Sequence, residues 1–260
     1  DLCGDDCGQG AGAVTSWPAG YALKEFAEID STNEEAKRLA AGDTPVPIWL
    51  RADAQTAGRG RRGREWQTQS GNLAATLLLR PNRAAAECAQ LSFVAAVACA
   101  DAVAHFAPRA EIAVKWPNDV LANGNKIAGI LLESASGGGA PFWLAIGIGI
   151  NLARFPEGME FPAVSIAALG AVAPSPRDAL LELAGAFAKW YDIWAREGFA
   201  PIREAWLARA AKLGERIHAR LQEKELSGIF EGIDETGALI LREGQGHTRA
   251  IAAGEVFFAR

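Results

Sequence analysis

Regular alternation of apolar and polar positions begins at Tyr21; the residues before it are glycine-rich and patternless. Ser31-Thr32-Asn33-Glu34-Glu35 sets a glutamate three residues beyond Ser31 and another beyond Thr32, which predicts a capping-box helix start and a helix to about Ala41. Residues 46–54 (Val-Pro-Ile-Trp-Leu-Arg-Ala-Asp-Ala) predict a strand, 58–71 a loop and 72–80 another strand. A long apolar helix follows over 84–106, stopped before Pro108. Short runs rich in Ile, Val, Leu and Trp at 112–115, 120–122, 127–134 and 142–150 predict further strands. Asn123-Gly124 marks a tight hairpin within them, and Gly137-Gly138-Gly139 a flexible link. Helices over 177–197 and 201–212 complete a large unit. Beyond Leu213 the period becomes two, with turns at Asp234-Glu235-Thr236-Gly237 and Glu243-Gly244-Gln245-Gly246, predicting a small β-barrel. Separated runs of helices and mostly antiparallel strands imply an α+β fold without βαβ alternation. The expected division is a flexible leader at 1–16, a large domain at 17–212 and a small β domain at 213–260.

Composition narrows the function. Half of the 260 residues are hydrophobic, and 26 Lys+Arg against 31 Asp+Glu give a net charge of −5, which speaks against a dedicated nucleic-acid binder. No apolar run is read as reaching the ~20 residues of a bilayer span, and no signal-peptide core is seen, so a cytoplasmic protein without membrane or DNA partner is expected. Cys88 and Cys99 lie in alanine-rich sequence and are expected to be buried thiols. Cys3 and Cys7 lack a second Cys/His pair, and His105, His218 and His247 are scattered, so no protein-only metal site is expected.

Gly58-Arg59-Gly60-Arg61-Arg62-Gly63-Arg64-Glu65-Trp66 packs arginines and glycines into one loop of an acidic chain. Glycine lets backbone approach a ligand closely, and arginine forks match phosphate or carboxylate, so the loop suits closure over an anion. A solvated basic loop or an RNA patch is the rival reading, weakened by the single aromatic, Trp66. Lys115-Trp116-Pro117-Asn118-Asp119 and Lys126-Ile127-Ala128-Gly129 flank the predicted hairpin, so both lysines can reach one cavity, while Asn118 and Asp119 offer oxygens to a hard cation. Pro-Asn-Asp is equally good turn chemistry, and that segment alone leaves both readings open. Gly147-Ile148-Gly149-Ile150-Asn151 lacks the third glycine of a dinucleotide fingerprint; its glycines fit strand positions of close approach. There is no Walker-type phosphate loop and no Gly-x-Ser-x-Gly elbow.

Ser31-Thr32-Asn33, Gln55, the Gly-Arg-Gly-Arg-Arg-Gly-Arg-Glu-Trp loop, Lys-Trp-Pro-Asn-Asp, Lys-Ile-Ala-Gly-Ile-Leu-Leu-Glu and Gly-Ile-Gly-Ile-Asn-Leu follow one another in the order of biotin protein ligases. The chain closely resembles that family from about Phe26 onward. The resemblance implies a mixed sheet flanked by helices, related to class II aminoacyl-tRNA synthetases and lipoate ligases, followed by an SH3-like barrel. It implies adenylation of biotin by MgATP, then transfer to one lysine of a biotin carboxyl carrier protein, such as that of acetyl-CoA carboxylase or a related carboxylase. Biotin would be held by Ser31, Thr32, Asn33, Gln55, Arg59, Gly60, Arg61, Lys126 and Gly129. ATP would meet Arg61, Arg64, Trp66, Lys115, Asn118, Lys126 and Asn151, with Mg²⁺ near Asn118 and Asp119 and with Lys126, Arg61 and Lys115 as the catalytic cations. About 25 residues precede the pattern, so the ligase-only type, monomeric or homodimeric, is expected rather than one with an N-terminal DNA-binding domain. A lipoate-type ligase of the same fold and an RNA-binding module are the alternatives.

Overall fold

A computed structural model describes residues 16–66, 68–137, 140–221 and 224–258. The expected leader, with Cys3 and Cys7, lies outside the described residues apart from Ser16, as do residues 138 and 139 of the expected glycine link. The large domain is built on β1 (Ala22–Ile29), β2 (Ile48–Gln55), β3 (Leu73–Leu79), β4 (Ile112–Lys115), β5 (Asp119–Ala122), β6 (Asn125–Gly137) and β7 (Ala140–Ile150). They form one sheet in the order β1-β2-β3-β7-β6-β5-β4. β1 runs parallel to β2, joined through α1 (Thr32–Ala40), and every other pairing is antiparallel. The sheet is thus mixed, as the resemblance implies; the strand β1 of its one βαβ unit was not read from the pattern, because none of its positions is buried and it has no clear apolar face.

Strand alternation splits the core in two. Leu77 and Leu79 of β3, Trp49 of β2 and Ile146, Ile148 and Ile150 of β7 join the larger cluster with α3 (Leu91–Phe106), α4 (Pro176–Glu197) and α5 (Phe199–Leu207). Their neighbours Leu78, Ile48, Leu50 and Ala145 face the other way and pack with Ala36 and Ala40 of α1. β3 is buried along its whole length, as a strand covered on both faces must be.

The helix expected over 84–106 is divided into α2 (Ala85–Cys88) and α3. Ala89 and Gln90 keep right-handed dihedrals, but the bonds tighten to i→i−3, from Gln90 N to Glu87 O and from Ser92 N to Ala89 O. Ala85–Phe106 is long and apolar enough to span a bilayer, where the sequence reading saw no run of that kind; here α3 is a core helix with most of its residues buried. α5 ends at Leu207 because Arg209–Ala211 leaves to bond Val114 of β4. The hairpin at Asn123-Gly124 is present, with φ of 49° and 77°. The capping box is not: Ser31 makes no side-chain cap bond, and its N–H donates to Asp30.

β8 (Arg216–Arg220), β9 (Glu225–Ile233), β10 (Leu239–Arg242), β11 (Thr248–Ile251) and β12 (Glu255–Phe258) form an antiparallel sheet in the order β11-β10-β9-β8-β12. Where the sequence predicts a barrel, the ladder does not close into a ring among the described residues. Trp206 of α5 bridges the two units, edge-on to Phe93 of α3 at 5.6 Å and to Phe230 of β9 at 6.4 Å. Trp116 does the same with its indole N–H, donated to Gly237 O at 3.0 Å. Large apolar side chains shared this way are worth about 1.5–3 kcal/mol each in burial, enough to hold the small sheet in place.

Candidate active site

The site lies on the α1 face of the sheet, where β7 supplies glycines between its isoleucines. A Cβ at Gly147 would overlap the Asn33 amide, and one at Gly149 the Trp66 indole. Both glycines are therefore close-approach positions. Gly149→Ala is expected to cost about 1–3 kcal/mol by overpacking and to push Trp66 off the sheet. A lowered Tm would read the first effect and faster tryptic cleavage at the loop arginines the second.

Every residue expected in the site lines one cavity of about 360 Å³: Ser31, Thr32, Asn33, Gln55, Arg59, Gly60, Arg61, Arg64, Trp66, Lys115, Asn118, Asp119, Lys126, Gly129 and Asn151. At one end the polar groups are already joined. Gln55 Oε1 accepts the Thr32 N–H at 2.8 Å and lies 3.1 Å from the Thr32 hydroxyl oxygen, while Gln55 Nε2 donates to Thr68 at 2.8 Å. The fully buried Thr76 hydroxyl lies 2.8 Å from Thr32 Oγ1 and 2.6 Å from Asn33 Oδ1. Asn33 Nδ2 donates to Glu133 Oε2 at 2.7 Å. The Asn33 side chain, while lining the cavity, also braces α1 against β3 and β6.

The arginine–glycine loop is folded back on itself. Gly60 N–H donates to Arg64 O at 2.7 Å, Trp66 N–H to Gly58 O at 2.9 Å, and a single 3-10 turn spans Arg61–Gly63. Its arginines reach elements distant in sequence. Arg59 pairs with Glu34 of α1; Arg62 pairs with Glu255 of β12 at 3.1 Å, and Arg64 pairs with the same carboxylate. Arg61 donates to Asn118 Oδ1 at 3.2 Å and to Gly254 O at 3.4 Å. Burial pulls the Arg61 pKa below its ordinary value against the opposing pull of Asp119. Trp66 Nε1 is buried without a hydrogen-bond partner, a donor that an acceptor in the cavity would satisfy.

The two lysines flank the hairpin as expected but differ in setting. Lys126 Nζ pairs with Asp119 Oδ1 at 2.6 Å and stays partly open to solvent. Lys115, 7% exposed, sits over the Phe161 ring at 3.5 Å, with Phe258 and Phe257 farther out. Burial, reinforced by Lys126 and Arg64, pushes the Lys115 pKa down to about 8 against the opposing pull of Asp119 and Glu160. Asn118 donates to Ile130 O, which leaves its carbonyl for Arg61. Asn151 donates to Val164 O at 3.2 Å and so holds the segment after β7. Sequence reading missed Thr76, Phe161, Glu255 and Phe257, all of which line or support the site. Glu255 and Phe257 belong to the far sheet, and no local motif announces them.

The chain matches the family model for the biotin/lipoate A/B protein ligase family over residues 25–151 and that for the biotin protein ligase C-terminal domain over 212–259. It is 52% identical over 239 residues to the biotin–[acetyl-CoA-carboxylase] ligase of Paracoccus denitrificans, covering 90% of this chain and 99% of that protein. It is 33% identical over 230 residues to the bifunctional ligase/repressor BirA of Bacillus subtilis, covering 86% and 70% respectively. Among solved structures, the biotin protein ligase of Aquifex aeolicus in complex with biotin and ATP matches with a TM-score of 0.78 at 27% identity, over 91% of this chain and 97% of that one. The chain belongs to the biotin protein ligases of the biotin/lipoate A/B protein ligase family.

Proposed function

We propose that the chain activates biotin with ATP to biotinyl-5′-adenylate and passes the biotinyl group to a lysine of a carboxylase carrier domain. The observation that carries this reading is one cavity with a pre-joined polar end at Thr32 and Gln55 and a cluster of cations at Arg61, Arg64, Lys115 and Lys126. The polar end suits a ureido ring, with Ser31 beside it, and the cations suit a carboxylate meeting a triphosphate. In the first step a biotin carboxylate oxygen attacks the α-phosphorus and pyrophosphate leaves. Lys126 faces the charge that develops there, Lys115 supports the phosphates, and Arg61 holds the adenylate once it has formed. In the second step the carrier lysine's neutral ε-amine attacks the acyl carbon, AMP leaves, and the amine loses a proton. Arg59 and Gly60 close over the intermediate, and Trp66, lying against Gly149 and Gly129, walls the nucleotide.

Among the described residues no group of three or more His, Cys, Asp or Glu is placed to hold a metal. Mg²⁺ bound with the nucleotide would neutralise triphosphate charge, with Asp119 and Asn118 the hard oxygens beside the lysines. We assign residues 17–212 as the catalytic domain and 213–260 as an SH3-like module, and place the protein in the cytoplasm as a monomer or homodimer without a DNA or membrane partner. The RNA-binding alternative loses ground because the net charge is −5 and Trp66 is the single aromatic of the arginine–glycine loop.

Incubation with biotin, MgATP and a carrier domain, followed by mass measurement of the carrier, tests the reading. One added biotinyl group supports it; modification only when lipoate replaces biotin assigns the chain to the lipoate ligases instead. The first step should also fall in rate as pH rises through about 8. Lys115 has its folded pKa lowered to that value, so its charge is present below and lost above. Biotin-dependent ATP–pyrophosphate exchange across pH 6.5–9.5 checks this, and Lys115→Arg should remove the alkaline limb.

A further inference from the structure

Glu133, which no motif reading placed in the site, lies on β6 facing α1. One of its oxygens accepts the Asn33 Nδ2–H at 2.7 Å and the other receives the Lys37 ammonium at 3.0 Å. Both partners are donors, and the carboxylate gives each of them an oxygen of its own. Burial would raise the Glu133 pKa, but the bonds from Asn33 and Lys37 and the charges of Lys37 and Arg59 outweigh it and hold the group ionised below its ordinary range. Because Glu133 is acceptor-only, the Asn33 amide has one permitted orientation, with Nδ2 toward Glu133 and Oδ1 toward Thr76.

That orientation propagates. Asn33 Oδ1 cannot donate, so the contact of 2.6 Å to Thr76 requires the single Thr76 proton. The contact of 2.8 Å between Thr76 and Thr32 is then served by the Thr32 proton, with Gln55 Oε1 still bound to the Thr32 N–H. The Thr32 hydroxyl is turned inward and offers lone pairs to the cavity. We propose that Glu133 is a positioning residue that sets the direction of the Thr32–Thr76–Asn33 hydrogen-bond relay, and thereby makes the polar end of the cavity select a ligand N–H. This rests on the assignment of that end to the biotin ureido ring.

The relay has a specific weakness that makes it testable. Glu133→Gln keeps the shape but puts an NH2 in place of one acceptor oxygen; the Lys37 ammonium, which also pairs with Glu34 at 2.9 Å, draws the carbonyl to its side, and the introduced amide nitrogen then faces Asn33 Nδ2 and forces that amide to flip. Thr76 would accept from Asn33 and donate to Thr32, so one Thr32 lone pair is spent on Thr76 and the Thr32 proton turns to Gln55 Oε1, 3.1 Å away. The KM for biotin should rise about tenfold, with the KM for ATP unchanged and the thermal transition kept, a change of the size expected for one misdirected hydrogen bond. Adding Lys37→Met to that variant frees the introduced carbonyl oxygen for Asn33 and should return the biotin KM to near the parental value, whereas Lys37→Met alone should change it little. Calorimetry with biotin alone separates the site assignment from the relay. If the parent does not bind biotin, the assignment of the site fails. If the parent binds but Glu133→Gln binds equally well, or Lys37→Met gives no rescue, Glu133 is only a structural partner and the relay is wrong.

Discussion

Lys126→Ala is expected to lower biotin-dependent ATP–pyrophosphate exchange ~10²–10³-fold while a cooperative thermal transition persists, since one preorganised charge at a developing anion is lost. Lys126 follows the tight hairpin on β6, where Asp119 on β5 holds its Nζ at 2.6 Å and so limits its rotamers. Removing Lys126 also bares the Asp119 carboxylate, which would itself repel a triphosphate. The pair Lys126→Ala and Lys126→Ala with Asp119→Asn separates these causes: recovery in the double variant assigns the loss to repulsion, and no recovery assigns it to the missing cation. Exchange near the parental rate in Lys126→Ala would remove this residue from the mechanism. A collapsed transition would make it structural.

Arg61→Gly should keep adenylation but let the intermediate escape. Arg61 spans from Asn118 to Gly254 O through contacts of 3.2–3.4 Å, long enough to yield when a phosphate arrives. A charge-assisted bond of this kind contributes about 1.5–3 kcal/mol, so release should quicken roughly tenfold to a hundredfold. A free mixed anhydride acylates any exposed amine. The variant should therefore biotinylate bystander proteins in proportion to their concentration, whereas the parent labels its carrier. Normal retention with no bystander labelling would end the containment role; absence of adenylate would move Arg61 into the first chemical step.

Much of this was legible because the chemistry sits in contiguous segments. Asn-Gly turns demand positive φ, so the hairpin that brings Lys115 and Lys126 together was visible from dipeptide chemistry alone. The isoleucine–glycine alternation of 146–150 was legible as close approach, though not what approaches: the Asn33 amide and the Trp66 indole come from other elements. Ser31 misled, because the cap signal and the binding signal use the same residues and only tertiary contacts choose between them. Thr76 and Glu255 stayed hidden, and Glu133, though it ends the Lys-Ile-Ala-Gly-Ile-Leu-Leu-Glu segment, was given no role. Each acts on a residue at least 43 positions away in sequence, and a lone buried hydroxyl or carboxylate carries no spacing signature.

The alternation on β7 has a consequence for error tolerance. Ile146, Ile148 and Ile150 fill the larger core while Gly147 and Gly149 leave room on the opposite face, so a single strand serves as wall for two compartments. Shifting this strand by one residue would drive isoleucines into the cavity and leave holes where the core needs bulk. A one-residue insertion or deletion within 144–150 therefore has no benign outcome: mispaired chains lose stability and ligand space together. Such chains would be cleared as unfolded protein, and would not persist as folded, inactive copies competing for the carrier.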